Sequence, residues 1–251
     1  MCFTVAIVRN NTLLTTEKYY DSLPDVWEKK YDLPEFPDYY FVSGFTHPQL
    51  PVIKEDGICL YEWGLIPSWV KDFKSAEEIR SKTLNAVGET IFQKPSFRKC
   101  IESRRCVLPV TGFFEYRDIN GVKYPYFIQS TDNECLLLGS IYDSWINEST
   151  GEISNTFSIV TTPANILMEK IHNLKKRMPL ILSFENSYQW IDKSIDIQVI
   201  KNLIKPYNET KMKAYTISRV ANNVRLNRNV PKILNEVLYS EIDSMYRTTL
   251  F

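Results

Sequence analysis

Apolar and polar positions alternate with period two in many short runs along this chain, and few runs repeat at helical spacing. Such alternation marks strands with one buried face, whereas recurrence at three and four residues marks amphipathic helices. Residues 2–8 alternate and are rich in β-branched side chains, so a strand is expected almost from the first residue. Strands are expected at Tyr39–Phe45, Ile58–Ile66, Cys106–Tyr116, Tyr124–Gln129, Leu136–Trp145, Thr156–Thr161, Met178–Ser183 and Lys213–Ser218. Helical spacing is found at 18–32 with Pro24 near its start, at Glu89–Ser103, and near Ile197–Ile204. A further helix is expected to open at Pro163, with Thr162 as its N-cap, and to run to about Asn173.

Many strands with a few interspersed helices, and no regular strand–helix–strand rhythm, predict an α+β fold on a curved antiparallel or mixed sheet. The chain has 251 residues, enough to bury a sizeable core. It has no internal repeat and no Pro/Gly/Ser linker, so one compact domain is expected over 1–232. Residues 233–251 are read as a C-terminal tail, packed on the domain or loosely attached.

Composition narrows the function classes. No run of about 18 apolar residues is present, and the N-terminus has neither a basic region nor a cleavage-site pattern. A membrane span and a signal peptide are therefore not expected. The cysteines at 2, 59, 100, 106 and 135 form no regular framework, which points to reduced thiols and a cytoplasmic protein. With only His47 and His172, and no C-x-x-C, no metal site is expected. Lys plus Arg equals Asp plus Glu at 30 each, so global charge does not announce a nucleic-acid binder. Any such site must be a local patch, and Arg98-Lys99, Arg104-Arg105 and Lys175-Lys176-Arg177 are the runs that stand out.

Candidate chemistry starts at Cys2. Removal of Met1 would leave an α-amine and a thiol on adjacent carbons, with ordinary pKa values of about 8 and about 8.5. A 1,2-aminothiol condenses with an aldehyde and then closes a five-membered thiazolidine, a ring closure that proximity favours. Against this stands the plain reading of a small hydrophobe at a strand start. Glu115, in Gly112-Phe113-Phe114-Glu115-Tyr116, is a carboxylate among aromatics, where desolvation raises the pKa into the acid–base range, unless it faces water at the strand end. His172 is placed at the end of the expected helix, before a basic turn, as a proton-transfer group or a satisfied structural histidine. His47, in Thr46-His47-Pro48, reads as a surface residue. Trp63 and Trp69 bracket a Gly/Pro turn and are either base-stacking groups or core, and Asn85 is a candidate hydrogen-bonder to a reacting group.

These segments occur in a telling order: Met-Cys at the start, WGLIPSW at 63–69, Asn85-Ala86 followed by Glu89-Thr90, Arg104-Arg105-Cys106 running into Gly112-Phe113 and Glu115, then TTPAN at 161–165, His172 and RMPLIL at 177–182. In this the chain resembles the SRAP (SOS-response-associated peptidase) family from residue 2 to about 183, and weakly on to Val220–Asn223. The resemblance implies a compact α+β domain with a barrel-like sheet core. It also implies recognition of abasic sites in single-stranded DNA, with a DNA–protein crosslink through Cys2, and no cofactor. Asn85 would position the sugar, Glu115 would transfer protons in Schiff-base formation, and His172 would act as acid or base. The family name reflects autoproteolytic removal of the initiator Met. DNA contacts are expected from Trp63, Trp69, Arg98, Arg104, Arg105, Lys175, Lys176 and Arg177, on a monomer. Thr4 and Val87 stand where the family carries arginine, which weakens the expected phosphate grip and flattens its salt dependence. The competing readings are a cysteine-dependent peptidase or amidohydrolase built on the same residues, and a non-catalytic single-stranded-DNA-binding module.

Overall fold

The computed structural model describes residues 2–10, 35–132 and 135–242. Two β-systems make up the fold. In the first, β3 (Gln49–Lys54), β4 (Gly57–Trp63), β10 (Ile153–Pro163), β9 (Leu136–Ile146) and β6 (Arg105–Val110) pair in that order, and β6 returns to β3. The ring closes into a five-stranded barrel, antiparallel except at the β4–β10 join. Closure removes the open edges that a sheet this rich in Val, Ile and Leu would otherwise expose. Short strands β5 (Asn85–Val87), β11 (Arg177–Pro179) and β12 (Ile181–Leu182) attach to β10 and β9.

The second system is an antiparallel sheet in the order β13 (Met212–Thr216), β8 (Val122–Ser130), β7 (Gly112–Ile119), β1 (Thr4–Ile7) and β2 (Tyr39–Ser43). Its period-two pattern assigns Val5, Ile7, Phe113 and Ile128 to a face packed on the barrel residues Leu50, Trp63, Leu108 and Phe157. Ala6, Phe41, Phe114 and Phe127 face the other way, under Ile217, Ala221 and Ile233 of the C-terminal segment. Both faces are therefore apolar, which is why the strand alternation in this sheet is muted. The helices are short: α1 (Phe73–Arg80), α2 (Arg98–Ser103), α3 (Ile166–Ile171), α4 (Phe184–Ile191) and α5 (Ile197–Leu203). Cys100, Ile101, Trp190, Ile191, Ile200 and Leu203 from three of them cover the far side of the barrel.

The α+β class, with its curved barrel core, is as expected. Several elements differ. Cys106–Tyr116 is two strands in different sheets, parted at Thr111. The neighbouring Gly112 is required by close approach, since a Cβ there would lie 2.4 Å from the Ile128 carbonyl and from the Phe127 ring. Glu89–Ser103 is a 3-10 turn at Gly88–Thr90 followed by only a short α2. Strand β10 runs through Pro163, and the helix after it is capped by Asn165, whose side chain accepts from the Met168 amide, so Thr162 is not the cap. Pro163 sits at the strand's end, where an amide donor is no longer needed. Strand β3 and helices α1 and α4 were not anticipated. The helix expected at 18–32 lies outside the described residues. Residues 233–242 pack on the domain: Ile233 and Ile242 are buried, and the Val237 amide donates to the Thr216 carbonyl at 2.8 Å.

Candidate active site

Four elements from distant parts of the chain bring Cys2, Asn85, Glu115 and His172 to one place between the sheet and the barrel. Cys2 precedes β1 and is fully buried. Strands β1 and β7 are antiparallel with Val5 opposite Phe113, so the first residues of the chain run toward Glu115. Burial, and next the negative charge of Glu115, hold the Cys2 thiol well above the usual thiol range. The thiol is therefore neutral in the folded chain, and Cys2 and Glu115 are close enough to sense each other electrostatically.

Asn85 begins β5, which lies parallel to β10 with Asn85 beside Ile159. Its Nδ2 donates to the Cys2 carbonyl at 2.8 Å, while its buried Oδ1 has no hydrogen-bond partner among the described residues. Buried acceptors are rarely left open, and an open one in a site is a natural place for a ligand donor.

Glu115 lies on β7 with its side chain toward the barrel and is 4% exposed. Desolvation pushes its carboxyl up to about 7. His172 is the C-cap of α3. Its Nδ1 lies 2.9 Å from the Arg177 carbonyl, which can only accept, so Nδ1 carries the proton of the neutral ring. The other nitrogen, Nε2, lies 3.8 Å from Glu115 Oε2. Burial lowers the His172 pKa as it raises that of Glu115, so the imidazole is neutral near pH 7 while the carboxyl is about half protonated. The helix C-terminus, expected to favour the imidazolium, is outweighed by desolvation. Asn173 locks this geometry: its Nδ2 donates to the Asp118 carbonyl and its Oδ1 accepts from the Asp118 amide, tying the residue after His172 to the strand that carries Glu115.

The expected DNA-contacting residues divide. Trp63 is fully buried, with its indole stacked on Phe157 and its Nε1 donating to the Leu84 carbonyl at 2.8 Å. It is a core residue that braces the strand carrying Asn85, and offers no face to a base. Arg105 is also interior: its guanidinium donates to the carbonyls of Trp190, Ile101, Glu102 and Asp192. Those carbonyls end α2 and α4, where an internal cation satisfies helix C-termini, so Arg105 cannot reach a phosphate. Arg104 is half-buried against Asp143 and Cys100, and Arg177 forms a forked pair with Glu89 while also donating to the Thr161 carbonyl. Trp69, Arg98, Lys175 and Lys176 are exposed. His47 is not a plain surface residue. It adopts a left-handed backbone with φ 49°, and its Nδ1 sits 2.7 Å from the Trp63 carbonyl.

A barrel flanked by an antiparallel sheet, with an N-terminal cysteine, an asparagine, a glutamate and a histidine at their junction, defines the class of domain that the motif order suggested. The family described as SOS response associated peptidase (SRAP) matches residues 1–224, and the chain belongs to it. It is 38% identical over 174 residues to the abasic site processing protein YoqW of Bacillus subtilis, covering 68% of this chain and 73% of that protein. It is 29% identical over 184 residues to the abasic site processing protein HMCES of Gallus gallus, covering 65% of this chain and 53% of that protein. A crystal structure of a Bacteroides thetaiotaomicron protein superposes with a TM-score of 0.85 at 36% identity, over 94% of this chain and all of that one. Among the described residues no helix is long and apolar enough to cross a membrane, and no cluster of His, Cys, Asp and Glu has metal-binding geometry.

What the sequence reading missed lies in two places. Asn173 was in plain view beside His172, but nothing local reveals that it reaches a strand 55 residues away. The stretch from 210 to 235 carries Lys211, Lys213, Arg219, Arg225, Arg228 and Lys232 and no acidic residue. A running charge count would have found it.

Proposed function

We propose that this protein processes abasic sites in DNA by linking covalently, through Cys2, to the aldehyde form of the lesion in a single strand once Met1 is gone. The observation that carries this reading is the convergence of Cys2, Asn85, Glu115 and His172, with Glu115 tuned to about 7 beside a neutral imidazole. Such an acid is half-protonated near neutrality, where a general acid–base group is most useful.

The chemistry balances without a redox partner. The freed α-amine of Cys2 adds to the aldehyde carbon to give a carbinolamine. Protonated Glu115 gives its proton to the departing hydroxyl, which leaves as water, and a Schiff base remains. The Glu115 carboxylate then takes the thiol proton as Sγ adds to the imine carbon, closing the thiazolidine. A thiol kept neutral by burial needs such a base at the moment of attack. His172 Nε2 faces the same carboxyl and passes protons to and from it, while Asn85 holds the Cys2 carbonyl and offers Oδ1 to the sugar.

Intact mass spectrometry with a single-stranded oligonucleotide bearing an abasic site tests the proposal. The expected result is a chain lacking Met1 and an adduct, lost on reduction of the aldehyde beforehand and in Cys2→Ala. A chain that retains Met1 and forms no adduct would sink it, and turnover of a peptide in place of an adduct would favour the hydrolase reading.

A further inference from the structure

Resting on that reading, we infer that the turn Asn173–Lys176 is the phosphate-holding rim of the site. Asn173 pins the turn to the open edge of β7, and Lys175 contacts the phosphate next to the abasic sugar. The edge is open because β1 pairs with β7 at Gly112 and Phe113, whereas β7 runs on through Glu115 to Ile119 with β8 along its other edge. At Asp118 the Asn173 side chain stands in for the missing strand. Its Nδ2 donates to the Asp118 carbonyl at 2.8 Å, and its Oδ1 accepts from the Asp118 amide at 3.1 Å. The start of the chain thus comes up this edge from the Phe113 end, the turn holds the edge at Asp118, and Glu115 lies between them. His172, which faces Glu115, is the residue that leads into the turn.

The backbone of the turn is held at both ends. The Lys176 amide donates to the His172 carbonyl at 2.8 Å, and the Lys176 carbonyl accepts from the Ala164 amide at 3.0 Å, with Lys176 in a left-handed conformation of φ 48°. Lys175 is exposed and lies in no ion pair among the described residues. The Asp118 carboxylate beside the pin accepts from the Gly121 amide instead. The Lys175 charge acts on both reacting groups, lowering the pKa of Glu115 and that of His172. Exposed charges much more than about 10 Å away are screened, so Lys175 is near enough to meet a phosphate that flanks a sugar held at Cys2, Asn85 and Glu115. Other cations of the site's motifs are committed. Arg177 holds Glu89 and the Thr161 carbonyl, Arg104 faces Asp143, and Arg105 serves helix carbonyls. A lysine binds phosphate as a point charge and reads no base, and a phosphate contact fixes the register of a strand. Held at this distance from Glu115, Lys175 sets which sugar lies against Cys2.

The test compares Lys175→Gln with Lys170→Gln, which removes the same charge from an exposed position on α3. Fluorescence anisotropy would follow binding to a single-stranded oligonucleotide carrying a tetrahydrofuran abasic analogue, across a salt series. One phosphate contact on a single strand is worth about 0.7 in the slope. Lys175→Gln should therefore lose about 0.7 and bind about fivefold more weakly near 0.1 M salt, while Lys170→Gln keeps the wild-type slope. Asn173→Ala should lose as much slope although Lys175 is still present, and adding Lys175→Gln to it should cost no more. A merely structural defect would lower the melting temperature and leave the slope alone. Cys2→Ala should lose the adduct on a true abasic strand and keep the wild-type slope, so the two claims are read separately. A Lys175→Gln protein that keeps its slope, or that differs in nothing from Lys170→Gln, overturns the rim while leaving the crosslink standing. An Asn173→Ala protein with its full slope overturns the pin. A wild-type protein that neither binds nor reacts overturns the rim and the crosslink together.

Discussion

Glu115 shows how one side chain links stability to chemistry. Its folded pKa of about 7 lies above the model-compound value of 4.5, so the native state binds its proton more tightly than the unfolded chain does. For a raised acid the associated stability is fully present below 4.5 and is lost as pH climbs through about 7. A shift of this size is worth at most about 3 kcal/mol. Glu115→Gln should therefore melt at a higher temperature than the wild type at pH 8, with the gap closing toward pH 4. Its rate of adduct formation should fall about 100-fold, as expected for loss of a general acid–base group. A thermal-shift series across pH and single-turnover crosslinking check the two halves independently. At Asn85, replacement by Ala removes the donor to the Cys2 carbonyl. The expected outcome is slower adduct formation with DNA affinity nearly unchanged, read by quench-flow beside anisotropy.

At the scale of elements, short helices and strands hold this site, and their ends matter more than their interiors. Helix α3 has few residues to sustain it, so its cap and its C-terminal lock carry the position of His172. Asn165→Ala removes a cap that also ties α3 to the Tyr207 carbonyl, and should cost about 1–2 kcal/mol in urea unfolding. Trp63→Phe keeps most of the packing but leaves the buried Leu84 carbonyl with only the Ile159 amide as donor. That should cost about 1 kcal/mol and slow the reaction through a shift of Asn85. Both effects start from a contact the local pattern does not encode. The sequence did reveal β4, β8, β9 and β13 to within a few residues, because enrichment in β-branched and aromatic residues between turn signals is a local property. It merged β6 with β7, because both are apolar and only Thr111 separates a barrel strand from a sheet strand. It placed the α3 cap at Thr162 because Thr-Thr-Pro reads as a helix start. Pairing with β11 instead carries Thr161–Pro163 on as strand.

At the scale of the whole molecule, neutrality conceals a division of labour among the charges. Arg105, Arg80 and Arg177 are committed to helix carbonyls and carboxylates of the fold, while Arg225 and Lys232 lie exposed on the outer side of the sheet. The order of separated motifs already identified the family and singled out Cys2, Asn85, Glu115 and His172. Each is a chemically distinctive residue in a recognisable context, and such identity is written locally. The sequence could not decide which tryptophan stacks, which arginine is free, or whether Glu115 faces water. Trp63 and Arg105 have the right types in the right motifs, yet both are interior, because barrel closure folds their strands over them. Tertiary structure alone settles such matters. Burial, hydrogen-bond partners and shifted pKa values depend on what other segments of the chain bring to a residue, and here those segments lie tens of residues away.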